Sequence, residues 1–211
     1  MNWGELKTDI RADLQDTNNK YSDELLYLYV KDAIRDYSIW FPKRIDREEL
    51  SKLNSGYPLP INYIEEIYVE SPMDTYLEKR IIRPGTKVKQ SLSATTYYVQ
   101  GGNIYLSSLG YDEPVYLTYF SSHDVPASED DDEFEISIPL MDIELIRIYV
   151  KAKIFERIRA KKATLDRFKP VGTRDDNPII PEVDDLMEEY RTGINERMGG
   201  RTVFLRKVSR S

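Results

Sequence analysis

Apolar positions recur every three to four residues through the first forty residues, alternate through the middle third, and return to a helical period after Pro139. In "WGELKTDIRADL", Leu6, Ile10 and Leu14 are spaced four apart with Trp3 one turn earlier, which predicts a short amphipathic helix over about 4–15. "QDTNNK" then supplies turn chemistry. "YSDELLYLYVKDAIRDYSIWFP" predicts a second helix over about 22–41. Ser22 is its N-cap, and Asp23 and Glu24 lie where the helix dipole favours anions. Leu26, Val30, Ala33 and Tyr37 form its stripe and Pro42 stops it. A short polar loop between the two predicts an antiparallel pair.

From Tyr57 the texture changes to β-branched and aromatic residues punctuated by Gly and Pro, predicting a β layer over about 57–138. "INYIEEIYVES" reads as a strand. In "TTYYVQGGNIYLSSL", a two-residue turn at Gly101-Gly102 would set Val99 opposite Ile104, Tyr98 opposite Tyr105 and Tyr97 opposite Leu106. One face then carries Tyr97, Val99, Ile104 and Leu106, and the other carries Tyr98 and Tyr105. "PVYLTYFSS" reads as the third strand of the same small antiparallel sheet, with Val115, Leu117 and Tyr119 on one face.

Pro139 opens the longest predicted helix, about 139–163. Ile143, Ile146, Val150 and Ile154 make one stripe, and Met141, Leu145, Ile148, Ala152 and Phe155 make another nearly opposite. A helix apolar on two sides is sandwiched, by its own fold or by a neighbouring chain. Val183, Leu186, Met187, Tyr190, Ile194 and Met198 predict a last helix over about 181–198, stopped by Gly199-Gly200. The expected fold is α+β: a mainly helical core of two N-terminal and two C-terminal helices, with the β layer inserted between them. Residues 1–198 form one domain and 199–211 an extended basic arm.

Charge sharpens this picture. The chain carries −7 overall, and the stretch "RMGGRTVFLRKVSRS" carries five positive charges and no acid, so the rest sums to −12, the whole less that stretch. A body this acidic disfavours wrapping by nucleic acid, whose phosphates it would repel. The sixteen tyrosines suit half-wet surfaces and interfaces. There is no cysteine, hence no disulfide and no thiolate metal site. "MNWGELKTDI" lacks the pattern of a sorting signal, and no run approaches the roughly 18 apolar residues of a membrane span. These features lead us to expect a soluble protein made inside the cell, with no membrane partner.

Signals for catalysis are sparse. His123, in "SSHDVPAS", reads as a solvated loop histidine, since nothing nearby would complete an acid–base or metal site. The run Glu129–Glu135 reads as a solvated, mobile acidic loop, without the spacing or glycine of a coordination loop. "QGGN" and "MGGR" read as a hairpin turn and a helix stop, not phosphate loops. The expectation is therefore no enzyme, no cofactor and no metal. Two basic stretches stand out. Arg157, Arg159, Lys161 and Lys162 would satisfy the end of the long helix, or else face a polyanion or an acidic neighbour. In the arm, Val203, Phe204 and Leu205 form a β-compatible apolar centre flanked by Arg201, Arg206, Lys207 and Arg210, suited to strand addition on an acidic partner.

The phrase "YSDELLYLYVKDAIRDY" within "LKTDIRADLQDTNNKYSDELLYLYVKDAIRDY", the "YPLPINYIEEIYV" segment, and "YYVQGGNIYL" leading into "VYLTYF" resemble the head-to-tail connector (adaptor, or head-completion) proteins of tailed double-stranded DNA bacteriophages. The long "IELIRIYVKAKIFER" helix, a final helix and a basic C-terminus complete the resemblance, which covers nearly the whole chain as an order of elements. It implies a structural virion protein made in the host cytoplasm and placed at the head–tail interface. Copies would form a ring, commonly a dodecamer, docked beneath the portal protein. The ring would extend the channel through which genomic DNA passes in packaging and ejection, without sequence-specific binding. It would also present a platform to a downstream tail, stopper or nozzle protein.

The resemblance assigns portal docking to Arg197, Arg201, Val203, Phe204, Leu205, Arg206, Lys207 and Arg210. Arg157, Arg159, Lys161, Lys162, Tyr98 and Tyr105 are candidates for subunit contacts or the channel wall. A tail-completion or stopper protein is the alternative within virion assembly. A nucleic-acid-binding accessory protein using the basic segments is the alternative outside it.

Overall fold

The shift between helical and strand periods becomes a division into two units. A computed structural model describes residues 1–16, 18–53, 56–81, 96–107, 114–166 and 179–199, and only the backbone of 162–166 and 179–182. One unit joins Met1–Asp36 to the chain from Val125 onward, and the other is Tyr37–Asp124. No helix among the described residues is long and apolar enough to cross a membrane. The architecture is α+β, as the periodicity predicts.

The helical unit contains α1 (Trp3–Asp13), most of α2 (Asp23–Trp40), α3 (Ile143–Asp166, entered by a 3-10 turn at Leu140–Asp142) and α4 (Ile179–Met198). Helix α1 starts at Trp3 because Asn2 and Glu5 form a capping box. Asn2 Oδ1 accepts from Glu5 N–H at 2.8 Å, and Glu5 Oε2 accepts from Asn2 N–H at 3.0 Å. Ser22 caps α2 as its sequence predicts, its Oγ accepting from Leu25 N–H.

Both stripes of α3 are buried: Ile143, Ile146, Val150 and Ile154 on one side, Leu145, Ile148 and Ala152 on the other. Met141, in the preceding turn, is 70 % exposed, and Phe155 is half-buried. The covering comes from the same unit. Helix α4 approaches so closely that a Cβ on Gly193 would lie 2.4 Å from Leu145 Cδ2. Arg147 of α3 grips Asp13 of α1 through both carboxylate oxygens at 2.6 and 2.7 Å. Helix α4 begins two residues before the expected start. Pro181 lies in its first turn, where a missing N–H deprives no helical acceptor.

Among its described residues the other unit holds seven strands: β1 (Lys43–Leu50), β2 (Tyr57–Pro58), β3 (Tyr63–Glu70), β4 (Glu78–Lys79), β5 (Thr96–Gln100), β6 (Asn103–Leu106) and β7 (Val115–Ser121). The hairpin β5–β6 has the expected register, with Tyr97 opposite Leu106, Tyr98 opposite Tyr105 and Val99 opposite Ile104. Gly101 and Gly102 both take positive φ, 57° and 76°, as a type I′ turn requires.

Two expectations fail here. Strand β7 does not extend the hairpin sheet; it is the centre of a separate sheet ordered β1-β7-β3, while the hairpin belongs to β2-β6-β5-β4. Strand β1 was not expected at all. It is a charged edge strand with few apolar positions, and a bulge between Ile45 and Glu48, with Arg47 at φ 52°, breaks its alternation. The two sheets share one core of Leu50, Tyr57, Val69, Leu77, Tyr97, Ile104, Val115, Leu117 and Tyr119.

Tyrosines in and against this core should make it alkali-sensitive. Burial pushes the Tyr63 phenol up to about 12, with Tyr97 and Glu65 adding to the shift. Burial and then the hydrogen bond to Glu48 Oε2 (2.6 Å) raise Tyr119 further. Their folded-state pKa values exceed the ordinary 10. Proton loss thus favours the unfolded chain once pH passes 10, and stability should fall from there to about 12. Denaturant unfolding across that window should show the loss, and Tyr63→Phe should flatten it.

Candidate docking surfaces

Residues Arg201, Val203, Phe204, Leu205, Arg206, Lys207 and Arg210 lie outside the described residues. Arg197, grouped with them by sequence, belongs to the last turn of α4 and is held by the helical unit. Its Nε donates to Asp142 Oδ1 at 2.7 Å and its Nη2 to the Met141 carbonyl at 2.9 Å. That clamp ties the end of α4 to the turn that opens α3, beside Leu140 and Met141, which are 71 % and 70 % exposed. The last turn of α4 therefore ends beside an exposed apolar corner.

The second basic stretch divides. Helix α3 runs to Asp166, so Arg157 and Lys161 are nine and five residues from its end. A helix dipole acts on the last turn, and satisfaction of the helix terminus does not account for either cation. Arg159 turns toward α4 and pairs with Asp184 at 3.6 Å. The side chain of Lys162 is outside the described set.

Arg157 and Lys161 instead meet Lys20, from the turn between α1 and α2, around a groove of about 450 Å³. Leu25, Ile154 and Ile158 also line it, together with Tyr21 and the α2 cap Ser22. The turn is held firmly. The buried Asp16 accepts from Lys20 N–H at 2.6 Å and Tyr21 N–H at 3.2 Å, and Arg11 Nη1 binds Asp16 at 2.7 Å. Arg11 Nη2 also donates to the Tyr21 carbonyl at 2.9 Å. Lys20 escaped sequence reasoning, because it lies in a polar turn some 140 residues before its partners and no periodicity links them.

A larger groove of about 700 Å³ between α3 and α4 has a different electrostatic character. Its Lys153 pairs with Glu156 at 2.9 Å, and its Arg159 pairs with Asp184, so much of its charge is neutralised within it.

Tyr98 and Tyr105 stack on the hairpin face away from the core, with centroids 5.1 Å apart and planes 16° off parallel. Both are half-buried and form a flat aromatic ledge. A Cβ on Gly56 would sit 2.9 Å from Tyr105 Cε1, so the glycine lets that ring lie down on the backbone.

His123 is not solvated. It is buried, its ring nitrogen Nε2 is 3.0 Å from the Phe41 carbonyl, its backbone N–H donates to Ser38 Oγ at 2.9 Å, and its ring packs on Tyr37. The acidic run is not a free loop either. Asp132 pairs with Lys7 at 2.8 Å, and the run's carbonyls receive donors from the start of α1. Among the described residues no group of three or more His, Cys, Asp or Glu is placed to hold a metal ion.

No protein-family model matches the chain, and no curated protein matches it.

Proposed function

We propose that the protein is a ring-forming head-to-tail adaptor of a tailed double-stranded DNA bacteriophage. It docks under the portal, extends the DNA channel and offers the attachment platform for the tail. The observation that carries this reading is the order of its parts. A helical unit built from both sides of an inserted β unit ends in a clamped helix, and the basic, apolar-centred segment follows at once.

Surface chemistry supports the same reading. A ring subunit needs two unlike surfaces, each meeting the other on its neighbour. The helical unit exposes Leu28, Leu140 and Met141, while the β unit exposes Ile61, Ile64, Met73 and Tyr76 and carries the Tyr98–Tyr105 ledge. An acidic body also suits a channel that lets DNA slide rather than gripping it. In this role the protein is structural and not catalytic, and it resides in the virion.

Electron microscopy of the full-length protein mixed with the portal protein of the same virus tests the proposal. Closed rings stacked coaxially on portals are expected. Particles that remain monomeric in the presence of portal would overturn it.

A further inference from the structure

We propose that the groove between the α1–α2 turn and α3 is a receptor for an acidic peptide segment of another protein chain, one with an apolar or aromatic side chain set between carboxylates. The inference concerns this groove alone and goes beyond the ring reading, which can fail without it.

Charge is the first ground. Lys20, Arg157 and Lys161 all line the groove and are exposed. None of the three makes an ion pair among the described residues, whereas Arg159, between Arg157 and Lys161 on the same helix, pairs with Asp184. Three exposed cations around one concavity make it a locally positive site on a net acidic chain, although Arg157 also borders Glu24 and Glu129 in the adjoining groove. A ligand with carboxylates would complement them.

Shape and floor decide which anion. Ile154, Arg157, Ile158 and Lys161 fall on one face of α3 at helical spacing, so cations and apolar side chains alternate along the groove. Leu25 closes it from α2. Phosphate oxygens would satisfy the rim and leave Leu25 and Ile158 against water. An apolar side chain between two carboxylates covers both. A volume of about 450 Å³ accommodates a few side chains and is too small for a duplex. The site is also built in advance, because Asp16 and Arg11 fix the backbone that carries Lys20.

The test is a titration of the full-length protein at low salt with a fluorescent heptapeptide, Glu-Asp-Phe-Glu-Leu-Asp-Glu. A second peptide with Ser in place of Phe and Leu, a short DNA duplex and inorganic phosphate serve as competitors. Saturable binding of the first peptide is expected, weakened about tenfold or more by Arg157→Glu with Lys161→Glu, and by Lys20→Glu alone. Arg191→Glu, on the other groove, should leave it unchanged. Circular dichroism identifies any variant that fails to fold, and Lys20→Glu, in a turn, guards against losing the test to misfolding of α3. Equal binding by the charge-reversed variants, absence of binding at millimolar peptide, or displacement by the Ser peptide, duplex or phosphate as readily as by the first peptide would each overturn the assignment.

Discussion

A chain ending at Gly199 is expected to fold as the full chain does and, on the proposed adaptor role, to fail completely at joining tails to DNA-filled heads. The clamp at Arg197 precedes the cut, so the last turn of α4 keeps its bonds to Asp142 and Met141. What is lost is Val203, Phe204, Leu205 and the four cations Arg201, Arg206, Lys207 and Arg210. Three apolar side chains at roughly 1.5–3 kcal/mol each amount to about 6 kcal/mol of docking energy, or roughly 10⁴-fold in affinity per arm. In the proposed ring that loss would be multiplied across its copies, because arms that engage together reinforce one another. Addition of full-length or truncated protein to particles lacking it, followed by infectious titre, reads the effect. Denaturant midpoints should coincide for the two proteins. Phe204→Ser should reproduce most of the defect, whereas Arg206→Ala with Lys207→Ala should make joining more salt-sensitive. Normal titre from the truncated chain would remove the docking role from the arm.

Legibility in the sequence followed from how local the determining physics was. The β5–β6 register could be read because two glycines in sequence select a type I′ turn, and that turn fixes every pair after it. The double stripe of α3 could be read because burial on both sides leaves both apolar. Strand β1 could not be read. Its pairing is with β7, some seventy residues on, its exposed edge needs charge more than alternation, and its bulge at Arg47 shifts the phase.

The same holds for the site residues. His123 looked solvated because its neighbours in sequence are polar. Its partners, Ser38 and Phe41, are more than eighty residues away and act through a hydroxyl and a carbonyl. Arg157 and Lys161 were visible as cations, but their separation from Arg159 depends on which way α3 faces. Their union with Lys20 depends on the turn held by Asp16. Sequence pattern reports burial along an element and, beyond neighbours joined by a short turn, is silent on which elements meet.

Trp3→Ala should show the largest stability loss of any single substitution in the helical unit, about 3–5 kcal/mol, against a total stability of roughly 5–15 kcal/mol. Trp3 is fully buried, and its indole N–H donates to the Glu129 carbonyl at 3.0 Å. Its backbone N–H donates to the Phe134 carbonyl at 2.9 Å, and Gly4 N–H to the Asp132 carbonyl at 3.0 Å. The free donors at the start of α1 are thus satisfied by main-chain carbonyls of the acidic run, an arrangement that leaves no trace in side-chain pattern. Gly4 permits it, since a Cβ there would come within 3.1 Å of Asp132 Cβ. Tyr27 meets the indole edge-on at 6.4 Å and donates its hydroxyl to the Pro126 carbonyl at 3.1 Å, so the segment leading into the run is held as well.

Removing the indole therefore does more than open a cavity: it releases residues 129–135 from α1. Trp3→Phe should cost less, on the order of 1–2 kcal/mol, because the ring volume is partly kept and the hydrogen bond is lost. Urea unfolding followed by circular dichroism measures both changes. Limited digestion with a protease that cuts after glutamate distinguishes the cause, with Glu129, Glu133 and Glu135 cut much faster in Trp3→Ala than in the natural protein. Equal cutting in both would mean that the run is the solvated loop its composition suggests, and that its carbonyls do not hold the start of α1.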